Sequence, residues 1–261
     1  MFWALAANAI DLRGFEFEHV LSDIATLNEW AREGRLEASA ISLHTYPHVQ
    51  DRYVLLPHGA SMGSGYGPVV VSREPMEIEE LRSVEIAIPS KTTTAFLVLK
   101  MVMGDEFACR EVPYQQVLDE VSSGRADAGL VIREGQLIYE AQGLHKVVDL
   151  GEWWLLETGL PLPLGVNVAR RDLGEETLHE LSEVLRDSIQ AGLANRREAL
   201  SYATQSGNGL DDRLADRFVG MYVNKLTCDY GEEGRDAVRE LLSRAEAAGA
   251  YDAPVRVEFV A

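Results

Sequence analysis

The chain has 261 residues, 46% of them apolar and 25% charged, an ordinary globular mix long enough for one large domain or two small ones. Lys and Arg number 24 against 42 Asp and Glu, a formal net charge of −18. That balance argues against nucleic acid or an anionic membrane as the main partner and leaves room for a small anion in a locally positive pocket.

The first 14 residues place Phe2, Leu5, Ala6, Ala9 and Ile10 on one face, a helical spacing. They carry no basic region ahead of the apolar residues and no convincing cleavage site, so they do not read as a signal peptide. No apolar run reaches the roughly 18 residues of a membrane span. The two cysteines, Cys109 and Cys228, stand in no metal or redox spacing. A cytoplasmic location follows as the expectation.

Phe15 and Phe17 alternate with Glu16 and Glu18 as a short strand. Ser22 or Asp23 caps a helix that turns Ile24, Leu27, Trp30 and Ala31 inward and stops at Gly34. Strands are predicted over 38–43 and 53–56, with a loop or short helix between them. Gly63, Gly65 and Gly67 punctuate the approach to PVVVS; because a strand and not a helix follows them, they do not make a nucleotide-binding loop.

Two βα units come next. VEIAIP is a strand, and Ser90, Thr92 and Thr93 offer caps for a helix over 95–103 that is apolar almost all round and therefore buried. Pro113 opens a second helix with Tyr114, Val117, Leu118 and Val121 on one face, Gly124 ends it, and AGLVI is the next strand, with Arg133 and Glu134 at its end. A helix is predicted over 137–142, and His145 opens an extended segment to Leu150. Residues 143–165, GLHKVVDLGEWWLLETGLPLPLG, close this part, with Glu152, Trp153 and Trp154 as a compact turn. Then come the strand VNVAR, four helices over about 174–192, 196–205, 210–224 and 233–248, and the alternating tail VRVEFV, a late strand.

Alternating strands and helices with short connections predict an α/β fold with parallel sheet. The chain crosses at about residue 70 and returns at about 165, which divides it into lobe one (1–71 and 166–261) and lobe two (72–165) with a ligand cleft between them. Facing that cleft, PSKTTTA sets Lys91 and three hydroxyls around a helix start, where unpaired amides and the helix dipole favour a carboxylate; an ordinary helix cap reads equally well. Ser42 ends the strand at 38–43 and either binds ligand or caps the next turn. His44, His48 and His58 lack the spacing of metal ligands. His145 stands at an element boundary, where a neutral imidazole serves either structure or proton transfer. Arg133 serves either as a substrate-binding group or as a salt-bridge partner. Composition and spacing stop at a two-lobed binder of small anions.

The segments ISLHTY, GSGYGPVVV, IPSKTTTAFLVLK, GRADAGLVI, GLHKVVDLGEWW and ETGLPLPLG, in this order, resemble the 1,4-dihydroxy-6-naphthoate synthase family of the futalosine route to menaquinone. The likeness runs through most of 38–170; GEWW with ETGLPLPLG is its most specific part, whereas the TTA helix start is shared with chorismate dehydratase. It implies a two-lobed periplasmic-binding-protein-like fold of type II, and a bacterial lyase acting on cyclic dehypoxanthinyl futalosine by a base-initiated fragmentation in the cleft, with no metal or organic cofactor. The implied partner is a small anionic substrate, an aromatic carboxylate bearing a sugar-derived ring; a homodimer is left open. The implied base is His145, and the implied substrate-binding groups are Ser42, Thr93 and Thr94. A non-catalytic solute-binding protein for a small carboxylate and a chorismate dehydratase-like lyase are the alternatives.

Two departures stand out. Where the family is expected to carry His before Glu after the AGLVI strand, this chain has Arg133 and Glu134. The family's first strand and a polar S-P-x-x-x-D-type loop are also expected ahead of the helix that here starts at Met1. Without them the strands at Phe15 and Ala38 lose a shared partner and the ligand site loses a wall. A start upstream of Met1 is the expectation, with a truncated paralogue as the alternative.

Overall fold

The computed structural model describes residues 1–104, 106–205 and 212–261. In chain order these form α1 (Trp3–Ala6), α2 (Ile24–Glu33), β1 (Ala38–Ser42), α3 (Tyr46–Val49), β2 (Tyr53–Leu55), β3 (Ser61–Gly63), β4 (Val69–Ser72), β5 (Glu85–Ile88) and α4 (Thr94–Met103). There follow β6 (Ala108–Glu111), α5 (Val117–Ser122), β7 (Ala128–Val131), β8 (His145–Asp149), α6 (Leu150–Thr158) and β9 (Leu162–Arg170). The rest is helical: α7 (Glu175–Ala194), α8 (Arg196–Gln205), α9 (Asp212–Tyr222), α10 (Lys225–Cys228) and α11 (Gly231–Ala247).

The strands make two sheets. In the first, β9 pairs antiparallel with β1, β2 and β3. In the second, with strand order β6-β5-β7-β4-β8, β5 lies parallel to β6 and β7, while β4 runs antiparallel to β7 and β8. The parallel sheet expected from the βα alternation is therefore confined to three strands. The chain enters the second sheet through β4 and leaves it after α6. Sheet membership thus puts Val69–Ser72 with the second sheet and the start of Leu162–Arg170 with the first, a few residues earlier than the expected crossings in both cases.

Local chemistry explains most elements. Asp23 caps α2, its Oδ1 accepting from Thr26 N–H at 3.0 Å, and Gly34 ends the helix in the left-handed conformation at φ 74°. Thr93 caps α4 through the Phe96 amide. Thr94 to Leu99 of α4 are all buried, because the helix packs against β9 of the first sheet, the 3₁₀ turns over 43–45 and 78–83, and α6. Its residues join Ile41, Leu43 and Tyr46 of the first sheet's side and Val70, Ile86 and Ile88 of the second in one apolar cluster. At about 25 cal/mol per Å² of apolar area, that shared core is the main force holding the lobes together.

Several expectations change. Phe15 to Glu18 form no strand. Among the described residues β1 has β9 as its sheet neighbour and an open edge on its other side, and residues 15–18 are not laid against that edge. Phe15 and Phe17 pack instead against the cluster of Leu5, Leu56 and Leu178. The first helix shrinks to Trp3–Ala6 and the one expected over 137–142 to two short 3₁₀ turns. The tail contributes a single bridge, Leu55 to Phe259. The start of the helix expected from 210 lies outside the described residues.

The stretch 143–165 is not a turn around two tryptophans but strand, helix and strand. Asp149 caps α6 by accepting from the amides of Gly151 and Glu152. Trp154 is fully buried and donates its indole N–H to Pro161 O at 3.1 Å. A Cβ on Gly151 would stand 2.1 Å from the Tyr66 carbonyl, so the first crossing lies directly on the start of α6. Gly151→Ala is expected to destabilise the fold by about 1–3 kcal/mol through this backbone clash, read as the shift of a denaturant midpoint. Gly159→Ala, at φ 71° with open space around it, should cost about 1 kcal/mol from backbone conformation alone.

Candidate active site

The C-terminal ends of β5 and β7 point toward the crossings, since Val131 of β7 stands opposite Val69 at the start of β4. The segment Ser90–Thr94 and the residue Arg133 follow these two strand ends, on the edge of the second sheet where ligands of open α/β sheets bind. Across from them is Ser42, at the C-terminal end of β1.

One fully buried side chain joins the two sides. Asn28, on the inner face of α2, accepts from Ser42 N–H at 2.8 Å through Oδ1. Its Nδ2 donates to Ser42 Oγ and to Thr92 Oγ1, each at 3.1 Å. Thr92 Oγ1 is also 3.1 Å from Ser90 Oγ, and Thr45 Oγ1 donates to Thr92 O at 3.3 Å. A second link runs from His44 N–H to Thr94 Oγ1 at 3.1 Å, and Thr94 Oγ1 donates on to Leu164 O at 2.6 Å. The result is a seam of hydroxyls and amides between the lobes, at the N-terminal end of a ten-residue buried helix.

The expected site residues divide. Ser42 stands in the seam. Thr93 and Thr94 are there too, but their hydroxyls are engaged: Thr93 accepts from Phe96 N–H and donates to Ser90 O, and Thr94 is bonded as above. The hydroxyl bridging the lobes is that of Thr92. Lys91 has an exposed side chain, and its amide donates to Glu111 Oε1 at 2.7 Å. Arg133 sits at the seam edge of the second sheet with its guanidinium carbon 5.0 Å from the ring centre of Tyr114. Its φ of 55° is left-handed, an unfavourable conformation for a side chain of this size.

His145 is not brought to the seam. It opens β8 opposite Ser72, at the end of the β4–β8 ladder away from the crossing, and its side chain is exposed. Asp149, which stands opposite Val69, marks the near end. The spacing of four strand residues puts His145 roughly 13 Å further out. The register of β8 is the physical reason that the expected base and the expected carboxylate groups are apart.

Asn28 escaped sequence reasoning although a signal was present: it falls four residues after Ile24 and three before Ala31, a polar residue on the apolar stripe of an amphipathic helix. Thr92 and Thr94 were indistinguishable in a run of three threonines. No local pattern marks Gln136 or Tyr222, which meet across the seam at 2.7 Å.

His44 flanks the seam on the first lobe, with Nδ1 3.0 Å from Tyr251 Oη. Burial pushes its imidazole from 6.5 down to about 4, and the neighbouring His48, Arg32 and Lys100 act in the same direction. The unfolded chain therefore binds this proton more readily, and the stability due to a neutral His44 is present above about pH 6.5 and lost as pH falls toward 4. His44→Gln should flatten the stability profile across that window, measured by urea unfolding at stepped pH. Asn28→Ala, which leaves the Ser42 amide without its partner, should cost about 1–3 kcal/mol in the same assay.

Known proteins resemble this chain in sequence and in fold. A family model described as menaquinone biosynthesis matches residues 1–247. The chain is 42% identical over 260 residues to 1,4-dihydroxy-6-naphthoate synthase of Thermus thermophilus, covering 100% of this chain and 94% of that one. It is 38% identical over 233 residues to the Streptomyces coelicolor protein of the same name, covering 87% and 82%. A crystal structure of an Archaeoglobus fulgidus protein superposes with a TM-score of 0.90 at 41% identity, over 96% of this chain and 93% of that one. The periplasmic aliphatic sulphonate binding protein of Escherichia coli, 12% identical with a TM-score of 0.71 over 98% and 85%, shares the two-lobed type II fold.

Proposed function

Because the chain belongs to the menaquinone biosynthesis family, we propose that it is a lyase converting cyclic dehypoxanthinyl futalosine to 1,4-dihydroxy-6-naphthoate at the seam between its lobes. The observation that carries the placement is the Asn28–Ser42–Thr92 cluster, where donors from both lobes converge at the N-terminal end of α4. A substrate carboxylate bound here meets hydroxyl and amide donors already held in place by Asn28, and positive helix dipole beyond them. Arg133, on the opposite side of the seam's edge, supplies the fixed cation that an anionic substrate needs in a chain of net charge −18.

Entry requires the polar seam to part at the N-terminal end of α4 while the apolar core along the rest of that helix stays joined. The two crossing segments are the connections about which the lobes open, and closure then excludes water from the bound substrate. In this reading Asn28 releases Thr92 on opening and recaptures it, or the substrate, on closing. His145, exposed on the outer end of β8, takes no part in it. The names of the relatives, at 42% and 38% identity over most of the chain, favour catalysis over capture of a solute. No helix among the described residues is long and apolar enough to cross a membrane.

Purified protein supplied with cyclic dehypoxanthinyl futalosine should release 1,4-dihydroxy-6-naphthoate, followed by chromatography with absorbance detection. Binding without release would overturn the enzymatic reading. Arg133→Ala should lower kcat/KM by about 10–100-fold, the worth of a charged hydrogen bond, while His145→Ala should stay within about twofold of the parent. The reverse ranking would return the chemistry to the His145 end of β8.

A further inference from the structure

Arg133 is held in a backbone conformation that costs a non-glycine residue about 1–2 kcal/mol, so something in the surrounding structure must impose it. The side chain of Gln136, three residues on, is bonded to it. With the Gln136 amide nitrogen turned toward Gly67 O at 2.6 Å and Tyr222 Oη at 2.7 Å, the amide oxygen accepts from Arg133 N–H at 3.1 Å and from the Tyr222 hydroxyl at 3.3 Å. The opposite orientation would set the amide oxygen against the Gly67 carbonyl.

Each of the three partners belongs to a different part of the chain. Gly67 is in the first crossing, where a Cβ would come within 2.8 Å of Gly151 N, so its carbonyl is anchored by backbone-to-backbone packing. Tyr222 ends α9, is 6% exposed, and lies with its ring 5.2 Å from Phe218 and 5.6 Å from Tyr66. Tyr66, in turn, donates its hydroxyl to Met221 O. Arg133 belongs to the seam edge of the second sheet. An N–H needing an acceptor, a carbonyl needing a donor and a hydroxyl able to be either are served together by a primary amide, which carries two N–H donors and a carbonyl acceptor. Asparagine would be a methylene short.

We propose that Gln136 is a positioning residue for Arg133: its amide ties the strained Arg133 backbone to the crossing at Gly67 and to Tyr222 of the C-terminal helices, so that the guanidinium is aimed for substrate only while α9 is docked on the second sheet. The proposal rests on the role given to Arg133 above. It makes α9, which contributes nothing to the Asn28–Ser42–Thr92 cluster, a determinant of substrate binding.

The test is a set of four variants, Gln136→Met, Tyr222→Phe, Arg133→Ala and the double Gln136→Met/Arg133→Ala. For each, kcat/KM, the Kd for 1,4-dihydroxy-6-naphthoate and the melting temperature are measured. Gln136→Met should weaken product binding and kcat/KM by about tenfold, the worth of one to two hydrogen bonds. Tyr222→Phe, which leaves the bonds to Gly67 and Arg133, should lose less. The double variant should bind product no more weakly than Arg133→Ala alone, a pattern that a general loss of stability would not produce. Full affinity in Gln136→Met overturns the proposal, as does an additive loss in the double variant. Parental behaviour of Arg133→Ala is a separate failure, that of the Arg133 role itself, and it overturns the coupling with it. Should Gln136→Met melt below the assay temperature, the double Tyr222→Phe/Arg133→Ala carries the same comparison with its two single variants, with additive losses again the overturning result.

Discussion

The structure depends on one helix that cannot face water. Thr94 to Leu99 of α4 are buried on every side, and a helix of that kind is stable only with protein all around it. Neither sheet alone can provide that surrounding. The two lobes must therefore meet over α4, and the place where they meet is settled by where its ends lie. Its N-terminal end brings unpaired amides and a run of hydroxyls to the edge of the second sheet, opposite the end of β1. The polar seam and the hydrophobic core are two consequences of the same packing.

Meeting over an apolar helix creates a polar problem at its start. Ser42, Ser90, Thr92 and Thr94 come together away from bulk water, and each hydroxyl needs a partner. Asn28 serves three of the bonds, which is why a polar residue is tolerated on the inward face of α2. The same groups that satisfy one another across a closed seam are the ones that would bind a carboxylate in an occupied one. In the proposed reading closure and ligand recognition use a common set of donors, and the substrate would compete with the lobes' own contact.

Backbone contact governs the other side of the seam. Gly67 and Gly151 approach so closely that no side chain fits at either, which fixes the first crossing against α6. From that anchor the Gln136 amide reaches Arg133 and Tyr222. The strain at Arg133 lies where the two lobes, the crossing and the C-terminal helices come within one side chain's reach of each other. Stored strain at such a junction is a feature of sites held ready for a ligand.

How far the chain could be read without coordinates differs from element to element. Period and punctuation were enough for α2 with its Asp23 cap and Gly34 stop, for the buried α4, and for the strands β1, β5 and β7, because those signals are local. The segments from ISLHTY to ETGLPLPLG carried the family, since membership is written in residue order. Three things depended on the third dimension. The strand expected at Phe15 failed because Phe15 and Phe17 both pack into the cluster of Leu5, Leu56 and Leu178 instead of alternating across a sheet, and no local pattern records that neighbour. The choice of Thr92 over its neighbours was set by which hydroxyl Asn28 can reach. His145 was excluded from the seam by the register of β8 against β4, and a register is a relation between distant segments that no local pattern records. Residue type and spacing determined the elements and the kinship of this protein; which of its polar groups share a site was decided by long-range packing, because only packing brings residues 28, 42 and 92 within hydrogen-bonding distance of one another, and residues 67, 136 and 222 likewise in a second cluster.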